Sequence, residues 1–131
     1  MKRRKRLALY ALYKKGLEEG RFESLRDAAR YIATQPAPCY FVSPEYASDL
    51  VGFILAGKPL DGLNPAQKRL AARLYQEYKN YLSTHPGTRR SRISILNDLV
   101  DMPAPEWYMS PEGVRKMLRE ELREVRKKMG W

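Results

Sequence analysis

The sequence predicts a mainly α protein, a tandem duplication of a helix–helix–short strand–helix unit. Residues 1–63 form the first copy and residues 64–131 the second, sharing one core in a pseudo-two-fold-symmetric compact domain. Three observations predict this. A frame of Pro-Ala-Pro, one free residue, two aromatics, an apolar residue and Ser-Pro-Glu occurs at Pro36–Glu45 and again at Pro103–Glu112, an offset of 67. A stripe of Leu-Tyr-x-x-Tyr-Lys-x-x-Leu occurs at Leu9–Leu17 and again at Leu74–Leu82, an offset of 65, and two extra residues near Pro86-Gly87 reconcile the offsets. The chain has 131 residues of which 44% are apolar, enough for one core and too few for two full-size domains.

The elements follow from their punctuation. The stripe sets Leu, Tyr and Leu on adjacent turns of one face, giving a first helix over Leu7–Glu19 and its counterpart over Pro65–Leu82. Asn64 and Pro65 supply an N-cap and an N1 proline for the latter. A second helix opens at Ser24 or Ser91, with Ser24 and Asp27 in capping-box spacing, and stops before Pro36 or Pro103. Cys39–Val42 and Glu106–Met109 are aromatic and β-branched enough for short strands, which symmetry would pair antiparallel. Ser43-Pro44-Glu45 and Ser110-Pro111-Glu112 then start a third helix, running to about Ala56 in the first copy and about Met129 in the second. Gly57–Gly62 links the copies.

Composition narrows the function. One Cys and one His exclude a disulfide framework and any intrachain Cys-based zinc finger. No glycine-rich phosphate loop and no Ser/His/acid set is present, so the chain is expected to be no enzyme and to need no cofactor and no metal. His85 reads as a turn residue before Pro86, Cys39 as a small side chain packed partly inside, and Asp98 with Asp101 as a solvated ion-pairing site. The apolar run after Arg6 is too short for a signal peptide or a membrane span and is interrupted by Lys14-Lys15, so a cytoplasmic protein without a membrane partner is expected.

A net charge of +10, from 25 Lys and Arg against 15 Asp and Glu, favours polyanions. Two clusters contain no acid: Lys2, Arg3, Arg4, Lys5 and Arg6 at the start, and Arg89, Arg90 and Arg92 in a loop. Arg115 and Lys116 open a third cluster, in a tail whose mixed signs predict extensive pairing along its own helix. These ten residues are the expected phosphate contacts of a nucleic-acid-binding protein, double-stranded DNA favoured over RNA. Trp107, Tyr108 and Tyr40 admit two readings, a stacking platform for unpaired bases or core packing, and packing is favoured because both copies keep the aromatics beside structural prolines. The spacing between second and third helices, Thr34 to Val42, is too long for a helix-turn-helix, and the strand residues are poor base readers for a ribbon–helix–helix. Two other readings use the same charge: an RNA-binding subunit of a ribonucleoprotein, and a helical scaffold or homo-oligomer that meets an acidic protein partner.

Overall fold

In the computed structural model, which describes residues 2–130, five of the six helices begin on a side-chain cap written in the sequence. The helices are α1 (Lys2–Glu18), α2 (Leu25–Ala33), α3 (Pro44–Leu55), α4 (Pro65–Thr84), α5 (Arg92–Leu99) and α6 (Pro111–Lys128). Ser24, Ser43, Ser91 and Ser110 each accept from the backbone N–H three residues on. Asn64 does the same for Gln67, whose side chain returns to the Asn64 N–H, so the complete capping box lies at α4. At α2 the reciprocal half is displaced: the Asp27 carboxylate accepts from Glu23 N–H rather than from Ser24.

Helix ends are equally explicit. Gly20 and Gly57 stand in the left-handed region, with φ of 66° and 68°. After each, paired backbone bonds close a Schellman motif: Gly20 to Leu17 with Arg21 to Gly16, and Gly57 to Ile54 with Lys58 to Phe53.

The chain divides into two compact units, Met1–Pro36 with Pro105–Trp131, and Ala37–Ala104. The first unit packs α6 on α1 and α2; the second packs α3 on α4 and α5. The boundary expected from the sequence at residues 63/64 lies inside the second unit, between α3 and α4. In the first unit Leu9, Ala28, Ala29, Ile32, Trp107, Val114 and Leu118 are buried. In the second, Ala47, Leu50, Val51, Leu70, Ala71, Leu74, Ile95 and Leu96 do the same work. Both sets recur at helical spacing on one face of each helix, which is what lets short helices hold together by apolar burial.

The predicted strands at Cys39–Val42 and Glu106–Met109 do not form; among the described residues no strand is present. The reason is backbone geometry. Phe41 and Tyr108 both take φ of 54°, in the left-handed region, whereas an antiparallel ladder needs φ near about −140°. Pairing occurs earlier and only once: Ala37 and Ala104 form an isolated antiparallel bridge, exchanging N–H···O bonds of 2.9 and 3.0 Å. Tyr40 N–H then donates to the Val100 carbonyl at 3.0 Å.

The first helix also starts earlier than its apolar stripe, at Lys2 rather than Leu7. Basic side chains at a helix N-terminus oppose the macrodipole, and no acid stands in that first turn. The compensation comes from α6, whose Glu120 and Glu121 face the start of α1.

Candidate nucleic-acid interface

Sorting the charges by compact unit changes their meaning. The first unit carries 17 Lys and Arg against 9 Asp and Glu, a net +8; the second carries 8 against 6, a net +2. The positive potential therefore belongs to α1, α2 and α6.

Within that unit, α6 separates its signs. At 3.6 residues per turn Arg115, Arg119 and Arg126 fall within about 40° of one another, while Glu120, Glu121 and Glu124 lie on roughly the opposite side. The acids meet α1. Arg6 Nε lies 2.9 Å from Glu121 Oε2, with the N–H directed off the line a hydrogen bond requires, and Arg6 Nη1 lies 3.7 Å from Glu120. Lys2 Nζ reaches Glu120 at 3.9 Å. Glu121 is 5% exposed and occupies the i+7 position of the apolar series Val114, Met117, Leu118. Pairing along the tail's own helix, expected from the mixed signs, gives way to pairing between helices. No ion pair involves Arg115, Lys116, Arg119, Arg123 or Arg126 among the described residues.

The ten predicted phosphate contacts thus fall into two groups. Lys2 and Arg6 are held by α6 carboxylates, and Lys5 is half-buried. Arg3 and Arg4 are exposed, Arg3 on the rim of a cleft it shares with Glu121, Glu124 and Lys128. Arg115 is half-buried at the surface of α6 and Lys116 is exposed. In the second unit only Arg89 of the predicted set stands exposed and without an ion pair.

Arg90 makes a dense set of contacts. It donates to Tyr81 Oη at 3.0 Å, to the Ser94 carbonyl at 2.8 Å and to Asp98 Oδ2 at 2.8 Å. The Tyr81 hydroxyl, followed by Asp98, raises its already high pKa further. The ion-pairing role expected of Asp98 is filled with Arg90 as its partner.

Arg92 turns inward on the second unit. Its Nε donates to Ser48 Oγ on α3 at 3.0 Å, and its guanidinium lies over Gly52, where a Cβ would stand 2.9 Å from Nη2. It belongs to the α3–α5 contact and does not project outward as a phosphate contact would.

The aromatics read as either a stacking platform or core packing lie mostly inside. Trp107 is 1% exposed and Tyr40 4%, so neither ring presents a face to a base, and Tyr108 is half-buried. Burial pushes the Tyr40 phenol above its ordinary pKa of 10.0, partly offset by a hydrogen bond with Arg73. Packing wins because these aromatics are large enough to fill a small core.

The surface aromatics are elsewhere on the first unit. Tyr10, Tyr13, Phe22 and Tyr31 form a chain of ring contacts with centroid separations of 6.4, 6.2 and 5.6 Å. Arg21 closes this chain, 5.2 Å from the Tyr31 ring centroid and hydrogen-bonded to the Tyr31 hydroxyl and Glu19. The bond to Glu19 is the main cause raising the Arg21 pKa.

Sequence reasoning passes over Arg26 and Arg30. They sit at i,i+4 on the exposed side of α2, opposite Ala28 and Ile32, and share a cleft with Arg115. Their spacing on an amphipathic helix is the available signal. What raises their importance is the approach of α6, which lies 78 residues further along the chain at its first residue, Pro111, counted from Ala33.

No helix among the described residues is long and apolar enough to cross a membrane. Comparison with protein-family models, with curated proteins and with solved structures finds no match for this chain.

Proposed function

We propose that this chain is a non-enzymatic, basic nucleic-acid-binding protein that takes double-stranded DNA in preference to RNA through phosphate contacts. The observation that carries the reading is the concentration of a net +8 on the α1–α2–α6 unit, with arginines of α2 and α6 left without ion pairs. Guanidinium groups on an exposed helix face match phosphate in charge and in hydrogen-bonding geometry. Relative to the sequence expectation, the contact set moves. Arg3, Arg4, Arg89, Arg115 and Lys116 stay in it, Arg26, Arg30 and Arg119 join it, and Arg90 and Arg92 serve the α4–α5 and α3–α5 contacts instead.

The same reading treats the chain as a tandem duplication whose third helices are exchanged, α3 packing on α4 and α5 while α6 packs on α1 and α2. Equal φ at Phe41 and Tyr108, and the bridge between Ala37 and Ala104, support it because each pair occupies matching places in the repeated frame. A mobility-shift assay with duplex DNA, challenged by folded RNA, tests the function. Retention of the duplex against an equal mass of RNA is the expected result; transfer to the RNA would select the ribonucleoprotein reading.

A further inference from the structure

The first unit contains a small cleft where α2 meets the start of α6, lined by Arg26, Ala29, Arg30, Pro111, Glu112 and Arg115. Three arginines line it, and none of the three makes an ion pair among the described residues. Folding brings Arg115 beside the two α2 arginines, since α2 and α6 are far apart in sequence. Arg6, Arg21, Arg73 and Arg90 are neutralised by Glu121, Glu19, Glu77 and Asp98. Arginines without an ion pair stand elsewhere too, and what sets these three apart is that they share one cleft.

We propose that this cleft binds a phosphate dianion, the chemistry of inorganic phosphate and of a terminal phosphomonoester. Charge selects the ligand. Three arginines and Glu112 give a local net +2, which a dianion balances and a backbone phosphodiester, with one charge, does not. Size agrees with it: the cleft measures about 120 Å³, room for a tetrahedral oxyanion. Ala29, 1% exposed, lies among the lining residues and adds no charge of its own.

The start of α6 adds a donor. Pro111 has no N–H, Ser110 Oγ takes the Gly113 N–H, and Val114 N–H bonds to the Ser110 carbonyl. The Glu112 N–H is therefore the one left to a ligand in that first turn, at the positive end of the helix dipole. Glu112 also lines the cleft, and its negative charge opposes an anion bound there. The inference stands apart from the nucleic-acid reading, because inorganic phosphate alone decides it.

The experiment follows amide chemical shifts of the full chain during titration with inorganic phosphate near pH 8. Saturable shifts at Arg26, Arg30, Glu112 and Arg115 are expected, with Arg30→Gln weakening the affinity about tenfold. Glu112→Gln, which removes the opposing negative charge, is expected to strengthen it. Lys58→Gln, after α3 and outside the cleft, serves as the control and is expected to leave it unchanged. An absence of saturable shifts, or equal weakening by Lys58→Gln and Arg30→Gln, overturns the proposal. Two further arms distinguish the source of the phosphate. Tighter binding of a 5′-phosphorylated oligonucleotide than of its 5′-hydroxyl form identifies a nucleic-acid end, whereas equal binding of the two oligonucleotides alongside phosphate binding identifies a small phosphorylated ligand.

Discussion

Replacing Arg6 by Met removes the cation that faces Glu121, and the structure fixes how costly that is. The Glu121 side chain is 6% exposed and that of Arg6 23%, so truncation strands a carboxylate in an apolar seam beside Met117 and Leu118. Breaking a buried pair by removing one partner costs about 3–5 kcal/mol. The partial exposure of Arg6 and the proximity of Lys2 to Glu120 place the expectation at the low end, about 3 kcal/mol. Glu121→Gln costs less, about 1–2 kcal/mol, since Arg6 keeps Glu120 at 3.7 Å. The double variant Arg6→Met/Glu121→Leu restores an apolar seam and lies within about 1 kcal/mol of the parent, because buried ion pairs exchange for apolar pairs at little net change. The assay is urea unfolding followed by the emission of Trp107, buried in this unit, in a Trp131→Phe background. With a slope of about 1–3 kcal/mol per M, a loss of about 3 kcal/mol moves the midpoint by about 1 M or more. A loss under about 1 kcal/mol in Arg6→Met, or a double variant as unstable as the sum of the singles, would refute the assignment of this pair as the tie between α1 and α6.

Three other variants probe local claims. Gly16→Ala drives a Cβ into the edge of the Phe22 ring, so the ring must leave its seat; a net loss of about 1–2 kcal/mol is expected despite the gain in helix propensity, and Phe22→Ala in the same chain should abolish that loss, as read by thermal melting. Asn64→Ala removes the α4 capping box and should cost about 1 kcal/mol in urea unfolding. Tyr40 has its phenol pKa raised by burial, so the unfolded chain ionises first. Stability from this group is fully present below pH 10.0 and is lost as pH rises further, and a midpoint series between about pH 8.5 and 11 should fall less steeply in Tyr40→Phe.

The starts of α2 to α6 are legible in the sequence because their caps are local, whereas α1 begins at Lys2 ahead of its apolar stripe. Ser24, Ser43, Asn64, Ser91 and Ser110 carry their own hydrogen-bond acceptors, and Pro44, Pro65 and Pro111 preset the first turn. The strands are not legible, since aromatic composition is no guide to a single backbone reversal at Phe41 or Tyr108. Pairing of charges is the larger miss. Lys2–Arg6 is free of acids in sequence, yet its neutralising partners stand on α6, about 115 residues away along the chain. The same rearrangement hides the charge asymmetry: residues 1–63 and 64–131 carry +4 and +6, and only the union of α1, α2 and α6 exposes the +8.

The most direct test of the account is the salt dependence of duplex DNA binding, measured by fluorescence anisotropy between about 50 and 200 mM salt for the parent chain and for two variants. Binding led by phosphate contacts gives a linear fall of log affinity with log salt, and a slope shallower by about 0.9 for each of the two arginines removed in Arg4→Gln/Arg119→Gln. Arg90→Gln, a residue engaged with Tyr81 and Asp98, should keep the parent slope. No binding at about 50 mM salt, or a slope that falls equally in both variants, would contradict it.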